Sequence, residues 1–169
     1  MKLIPLTQGQ FAQVDDWNYD WLNQWKWFAQ KDKKTYYAKR ETYPMGKRVT
    51  IAMHTQIMNT PKGMEVDHID HNGLNCLEEN MRNCTHLQNS WNRVPRGKSP
   101  YLGVYIINKG GRERIVSRIN IDNRLIQLGT FSIEEEAAKI YDEAAKKYFG
   151  DFANLNFKEN APTIIRTGK

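Results

Sequence analysis

Short alternating runs at residues 3–6 and 11–14 predict two strands near the N-terminus. Asp16 then caps a predicted helix carrying Trp17, Trp21 and Trp25 at i, i+4 and i+8, so three indoles share one face, which is expected to be core. Residues 35–38 and 49–51 predict further strands, and 52–58 a short helix ahead of Pro61. The stretch 61–93 is polar and dense in His and Asn. Within it, 64–69 is a strand candidate, 70–75 a glycine-containing loop and 81–84 a second strand. Thr85 with Gln88 forms a capping box that opens a short helix at His86, ending before Pro95. Residues 94–100, with two prolines and a glycine, read as a linker. Strands follow at 101–107, 114–122 and 124–131, turning at Lys109-Gly110-Gly111 and Asp122-Asn123. A last helix is expected from an N-cap at Ser132, with Glu135 completing its box, to Phe149, where Gly150 stops it. Alternation points Ile115, Ser117, Ile119 and Ile121 toward that helix and leaves Val116, Arg118 and Asn120 on an open face.

Composition narrows the class. A chain of 169 residues makes one domain or two small ones, and 40% hydrophobic with 26% charged residues excludes a disordered chain. No apolar run approaches the roughly 20 residues of a membrane span. No secretory leader is expected at the N-terminus. Two cysteines, Cys76 and Cys84, do not make a disulfide scaffold, and without a Cys-x-x-Cys pair they do not read as a zinc site. The net charge of +6 is uneven. Residues 92–124 carry eight bases against two acids, whereas 132–159 carry four bases against seven acids. A surface with one positive face suits a polyanion.

The His- and Asn-rich stretch holds the chemistry. Asp67 and His68 lie on its first strand, Asn80 enters the second, and Asn89 sits on the helix. A carboxylate and an amide oxygen are hard ligands for Mg²⁺ or Mn²⁺. An imidazole beside them can take a proton from water, and an amide can fix its tautomer. Together these are the requirements of phosphodiester hydrolysis. Neighbours on a regular strand face opposite ways, so a shared site predicts a bulge at Asp67-His68. His71 and His86 read as loop surface and His54 as local packing. Asn92 and Arg93 follow Asn89 by about one helical turn and could face the same partner.

Two resemblances follow from these residues. The spacing of Asp67-His68, Asn80 and Asn89 resembles the H-N-H nuclease motif with its ββα-metal site. Leu6-Thr7-Gln8-Gly9, Val14-Asp15-Asp16 and Met53-His54 resemble the leader of phage-type H-N-H homing endonucleases. Leu102-Gly103-Val104, Leu128-Gly129-Thr130-Phe131, Glu136-Ala137-Ala138, Ala138-Lys139-Ile140-Tyr141-Asp142 and Leu155-Asn156-Phe157 resemble the ethylene-response-factor type of DNA-binding domain. The resemblance implies an α+β chain. A ββα-metal (His-Me finger) module with an N-terminal leader would occupy 1–93, followed by a linker at 94–100. A three-stranded antiparallel sheet packed on one helix would occupy 101–157, followed by a tail at 158–169.

It further implies a homing-type DNA endonuclease, monomeric on double-stranded DNA and nicking one strand, in the cytoplasm of a bacterial host if phage-encoded. His68 would be the general base, Asn80 its orienting group, and Asp67 and Asn89 the ligands of one Mg²⁺ or Mn²⁺ ion. DNA would be contacted by Arg93, Tyr105, Lys109, Arg112, Arg114, Arg118, Asn120 and Gln127, and the open face would also present Leu102, Ile107 and Leu125. The rival is a DNA-binding regulator whose nuclease half is a silent scaffold, and RNA binding through the basic ribbon is a third reading.

Overall fold

Lys2–Pro5 (β1) and Phe11–Val14 (β2) pair antiparallel, and Asp16–Leu22 (α1) follows. These elements begin the computed structural model, which describes residues 1–32 and 35–158; the side chain of Lys109 and residues 159–169 of the expected tail lie outside the described residues. The chain is mixed α+β and divides into two compact units, Met1–Ser90 and the part from Trp91 onward.

In the first unit, Phe28–Asp32 (β3), Thr35–Thr42 (β4) and Val49–Ala52 (β5) form an antiparallel sheet, and Met53–Ile57 (α2) follows it. Glu65–His68 (β6) pairs antiparallel with Met81–Cys84 (β8), and between them Asn75–Cys76 (β7) pairs parallel with β2. His86–Trp91 (α3) comes next. The core gathers Ile4, Val14, Leu22, Trp27, Ala38, Met53, Cys76 and Met81 from nearly all of these elements. β7 explains Cys76. As half of a two-residue strand against β2 it is completely buried, a small apolar residue whose thiol burial pushes up to about 12.

The tryptophan stripe needs correcting. α1 stops at Leu22, so Trp25 lies past its end, and Trp17 is 68% exposed, donating its indole N–H to Glu78. Trp21 and Trp25 do pack half-buried against the core, but the fully buried indole is that of Trp27, which donates to the Leu22 carbonyl at 2.9 Å. Helical spacing places side chains on one face, but it does not say where the helix ends.

In the second unit, Val104–Lys109 (β9), Arg112–Ile121 (β10) and Arg124–Phe131 (β11) form an antiparallel sheet with β10 central. Glu134–Phe149 (α4) packs on it through Ala137, Ala138 and Ala145, all fully buried, where small side chains allow close approach. Both hairpins turn through two residues with positive φ, Gly110-Gly111 and Asp122-Asn123, the backbone that matches strand twist. α4 begins later than the expected Ser132 box: its N-cap is Ile133 and makes no side-chain cap bond. Glu134, Glu135 and Glu136 still occupy the first turn, where the helix dipole favours them. Trp91 stacks on Phe149 with centroids 4.8 Å apart, and Ser99 is buried and accepts the Tyr101 N–H, so the second unit begins ahead of its sheet.

Three expectations for this sheet and its approach need correcting. A register shift opposite Ser117/Arg118 makes Leu128 an extra residue in β11, so Leu128 and Phe131, an odd number apart, both reach the helix side. Val116, expected on the open face, is buried, with Tyr105 and Thr130 as its cross-strand partners. Leu102 is buried in the helix-side cluster and does not join the open face.

One buried carboxylate ties this unit together. Asp142 on α4 accepts the backbone N–H groups of Asn156 and Phe157, each at 2.9 Å, and the Asn156 side-chain amide at 3.0 Å. Asn156 also exchanges two bonds with the backbone of Leu102, at 2.6 and 3.0 Å.

Candidate active site and nucleic-acid interface

β6 is a regular strand. Its pairing runs Glu65↔Cys84, Val66↔Asn83, Asp67↔Arg82, His68↔Met81 without a shift, so the bulge expected at Asp67-His68 is not there. Asp67 and His68 therefore take opposite faces of a ladder that ends at His68. Both are buried, at 4% and 6% exposure.

Asp67 meets Arg82, the residue directly across the ladder, which donates to Oδ2 through Nε at 2.8 Å and Nη2 at 2.7 Å. Two residues back, Glu65 points to the same face, where α3 supplies its partners. Asn89 Nδ2 donates to Oε2 at 2.6 Å, and His86 Nδ1 lies 2.9 Å from Oε1. The Asn89 bond and then the His86 contact hold the Glu65 carboxyl below the usual carboxylate range. The Thr85–Gln88 capping box is present in both directions, at 2.9 and 3.2 Å, and orients the helix that carries Asn89.

His68 faces an aromatic cluster. The ring of His54, from α2, stands edge-on to it at 5.1 Å between centroids and 87° between planes. Tyr37, from β4, lies 5.8 Å from His68 and 5.3 Å from His54. Burial lowers the His68 imidazole from its ordinary range, against the opposing pull of Asp70 and Asp67. Burial, then the neighbouring His68 and Lys39, drive His54 down to about 3. Burial, with Asp32 and Asp67, raises the Tyr37 hydroxyl. At neutral pH this is a cluster of uncharged rings.

The side chain of Asn80 serves the loop after β6. Its Nδ2 donates to Asp70 Oδ1 and to the Asn75 carbonyl, each at 2.9 Å, and its Oδ1 accepts the Asp70 N–H at 3.1 Å. Its backbone carbonyl accepts the N–H of Ile69, the residue after His68, at 2.9 Å. Burial pushes the Asp70 carboxyl up, but donors from Asn75, Asn72 and Asn80 leave it below the usual range.

His54 carries a pH consequence. The unfolded chain takes up a proton near the ordinary value of 6.5, and the folded chain resists until about 3. The stability His54 contributes as a neutral group is therefore complete above pH 6.5 and is lost as pH falls through that window. The slope should reach about 1.4 kcal/mol per pH unit. Urea melts at pH 7, 6 and 5 are expected to show this slope in the parent and a shallower one in His54→Phe.

On the second unit, Arg93, Tyr105, Arg118 and Asn120 line one shallow hollow with Leu125. The Arg118 guanidinium sits 5.8 Å from the centre of the Tyr105 ring. Arg112 and Arg114 are exposed on the sheet, and Gln127 Nε2 lies 3.5 Å from Thr130 Oγ1. Lys109 ends β9, with its side chain outside the described residues.

Sequence reasoning missed Tyr37, His54, Glu65 and Arg82. Arg82 and Glu65 had a signal: antiparallel register sets 82 opposite 67, and period two sets 65 and 67 on one face. Met53-His54 entered only through the leader resemblance and Tyr37 had no signal, because only the tertiary fold brings these two rings to His68.

Comparison with known proteins agrees with this geometry. The family described as HNH endonuclease matches residues 59–91, the span from the end of α2 through β6, β7, β8 and α3. An uncharacterised HNH endonuclease of Acanthamoeba polyphaga mimivirus is 31% identical over 157 residues, covering 91% of this chain and 79% of its own length. An AP2-like ethylene-responsive transcription factor of Oryza sativa subsp. japonica is 40% identical over 86 residues, 47% of this chain but 13% of the rice protein. Another from Arabidopsis thaliana is 46% identical over 66 residues, 38% of this chain and 11% of that protein. This chain thus spans only a small part of the plant factors. No solved structure matches it. A family match centred on the strands and helix that carry Asp67, His68, Asn80 and Asn89, with a relative aligned along most of both chains, places this protein in the HNH endonuclease family.

Proposed function

We propose that this chain is a divalent-metal-dependent DNA endonuclease of the homing type. It acts as a monomer on double-stranded DNA and cuts one strand, with His68 as general base. The observation that carries the reading is the setting of His68. It is a buried imidazole whose pKa desolvation lowers, at the end of a strand whose preceding residue is a carboxylate, with the amide of Asn89 on the helix that bonds back to that strand through Glu65. A neutral imidazole can accept a proton from the attacking water. Asn80 positions it through the backbone, holding Ile69 and the loop beyond.

The donor set suits a hard ion. Among the described residues no three His, Cys, Asp or Glu side chains form a metal cage. Asp67 and Asn89 would offer one carboxylate and one amide to an ion that completes its shell with water and substrate phosphate, as Mg²⁺ commonly does. Because β6 is regular, His68 leaves it on the face opposite Asp67, so base and ion would have to meet the phosphate around the end of the ladder and not side by side on one face. Bound there, Mg²⁺ or Mn²⁺ would supply Lewis-acid stabilisation of the charge on the departing 3′ oxygen. The second unit would hold the duplex through Arg93, Tyr105, Arg112, Arg114, Arg118, Asn120, Gln127 and Lys109.

Purified protein is expected to convert a supercoiled plasmid carrying its site to the open circle in Mg²⁺ or Mn²⁺. EDTA should stop the conversion, and added ion should restore it. Linear product without an open-circle intermediate would remove the nicking assignment. Intact plasmid in both ions would favour the rival reading, a DNA-binding protein with a silent nuclease scaffold. The two-pronged hold of Arg82 on Asp67 gives that rival its support.

A further inference from the structure

Three rings from three elements meet at the candidate base. Tyr37 comes from β4, His54 from α2 and His68 from the end of β6, with every pair of centroids between 5.1 and 5.8 Å. The arrangement is braced from behind. A Cβ on Gly73 would lie 2.5 Å from Tyr37 Cε1, so the 70–75 loop brings its one side-chain-free position directly against the tyrosine ring. That loop is in turn tied by Asn80 to the strand pair.

His54 is a costly residue for mere filling. Its Nδ1 is shut off from water and has no hydrogen-bond partner among the described residues, a burden an aliphatic side chain of similar volume would not carry. What an aliphatic residue would lack is an aromatic edge or face for the perpendicular contact with His68.

We propose that His54 and Tyr37 are positioning residues which clamp the His68 imidazole in one ring plane. The inference rests on the reading of His68 as general base. Rotation about the His68 side chain is restrained by two rings at steep angles, 87° for His54 and 53° for Tyr37, so the ring nitrogens keep fixed directions before DNA arrives. Preset orientation of this kind acts on the chemical step and not on affinity, because neither clamp residue needs to touch DNA.

The test compares His54→Phe, which keeps a ring, with His54→Leu, which keeps only bulk, in single-turnover cleavage and in DNA binding. His54→Leu is expected to cleave about ten to a hundred times more slowly, with unchanged Kd. His54→Phe should cleave at close to the parental rate and melt at a higher temperature, since the orphaned nitrogen is gone. Tyr37→Leu, acting on the other flank, should repeat the His54→Leu result. The ring proton resonances of His68 give a readout that needs no cleavage. They should move and broaden in His54→Leu and Tyr37→Leu and remain sharp in His54→Phe. Parental cleavage by His54→Leu, equal impairment of both His54 variants, or unmoved His68 resonances would each overturn the clamp. Failure of the base assignment looks different: there His68→Ala itself still cleaves.

Discussion

His68→Ala is expected to bind its DNA with parental affinity and, with the proposed base gone, to cleave it about a hundred to ten thousand times more slowly, the range that a positioned general base contributes. At 1.36 kcal/mol per decade this is about 3 to 5 kcal/mol of transition-state stabilisation. The size follows from the site. His68 is 6% exposed, and burial lowers its imidazole from the ordinary value, so the neutral acceptor form is favoured at pH 7. Removing the ring leaves the residues proposed for duplex binding on the second unit untouched, so the loss should fall on rate and spare affinity. A gel-shift titration beside a single-turnover time course separates the two. A cavity next to His54 and Tyr37 will cost some stability, so the comparison belongs well below the melting temperature of the variant, with His68→Gln as a second, polar truncation. Cleavage within a few-fold of the parent in both variants would remove His68 as the base.

Gly103→Ala is expected to unfold the second unit near physiological temperature. Gly103 has φ +76°, and a Cβ placed there would land on the ring of Tyr141, whose own position on α4 is buried. The left-handed backbone costs a non-glycine residue about 1–2 kcal/mol. Forcing a methyl into a packed ring adds about 1–3 kcal/mol or more. A loss of about 3 kcal/mol or more lowers the melting temperature of a unit this small by about 12 °C or more. The molecule contains its own control. Gly111 has the same φ of +76°, but a methyl there would meet nothing within 4 Å, so Gly111→Ala should show the backbone cost alone. Thermal melts of both variants, followed by DNA binding, check this. Equal shifts in the two would mean that Tyr141 moves aside without penalty.

What could be read in advance depended on how local its cause is. The Gly110-Gly111 and Asp122-Asn123 turns are legible because positive φ at two successive residues restricts the residue types that fit. The Thr85–Gln88 box is legible because it needs only four consecutive residues. Asp67, His68, Asn80 and Asn89 are legible as a set through their spacing, but the contacts they make are not. The Asn80 side chain goes to Asp70 and Asn75, and His68 is flanked by rings 31 and 14 residues away. Those partners depend on how β4 and α2 pack on β6, which no local pattern encodes. Strand alternation likewise did not reveal that Val116 is buried, and the open-face position that the resemblance implied for Leu102 is not the one it takes, because burial within a sheet and the approach of the chain ahead of β9 are properties of the assembled unit.

The Asp142 clasp sets a rule for moving the second unit into another protein. The helix finishes at Phe149, yet the donors that satisfy its buried anion come from Asn156 and Phe157. A transplant cut at the helix end would strand that carboxylate and release Leu102 from the other side. The portable part is therefore the sheet, the helix and the extended return as far as Phe157, inherited as one piece.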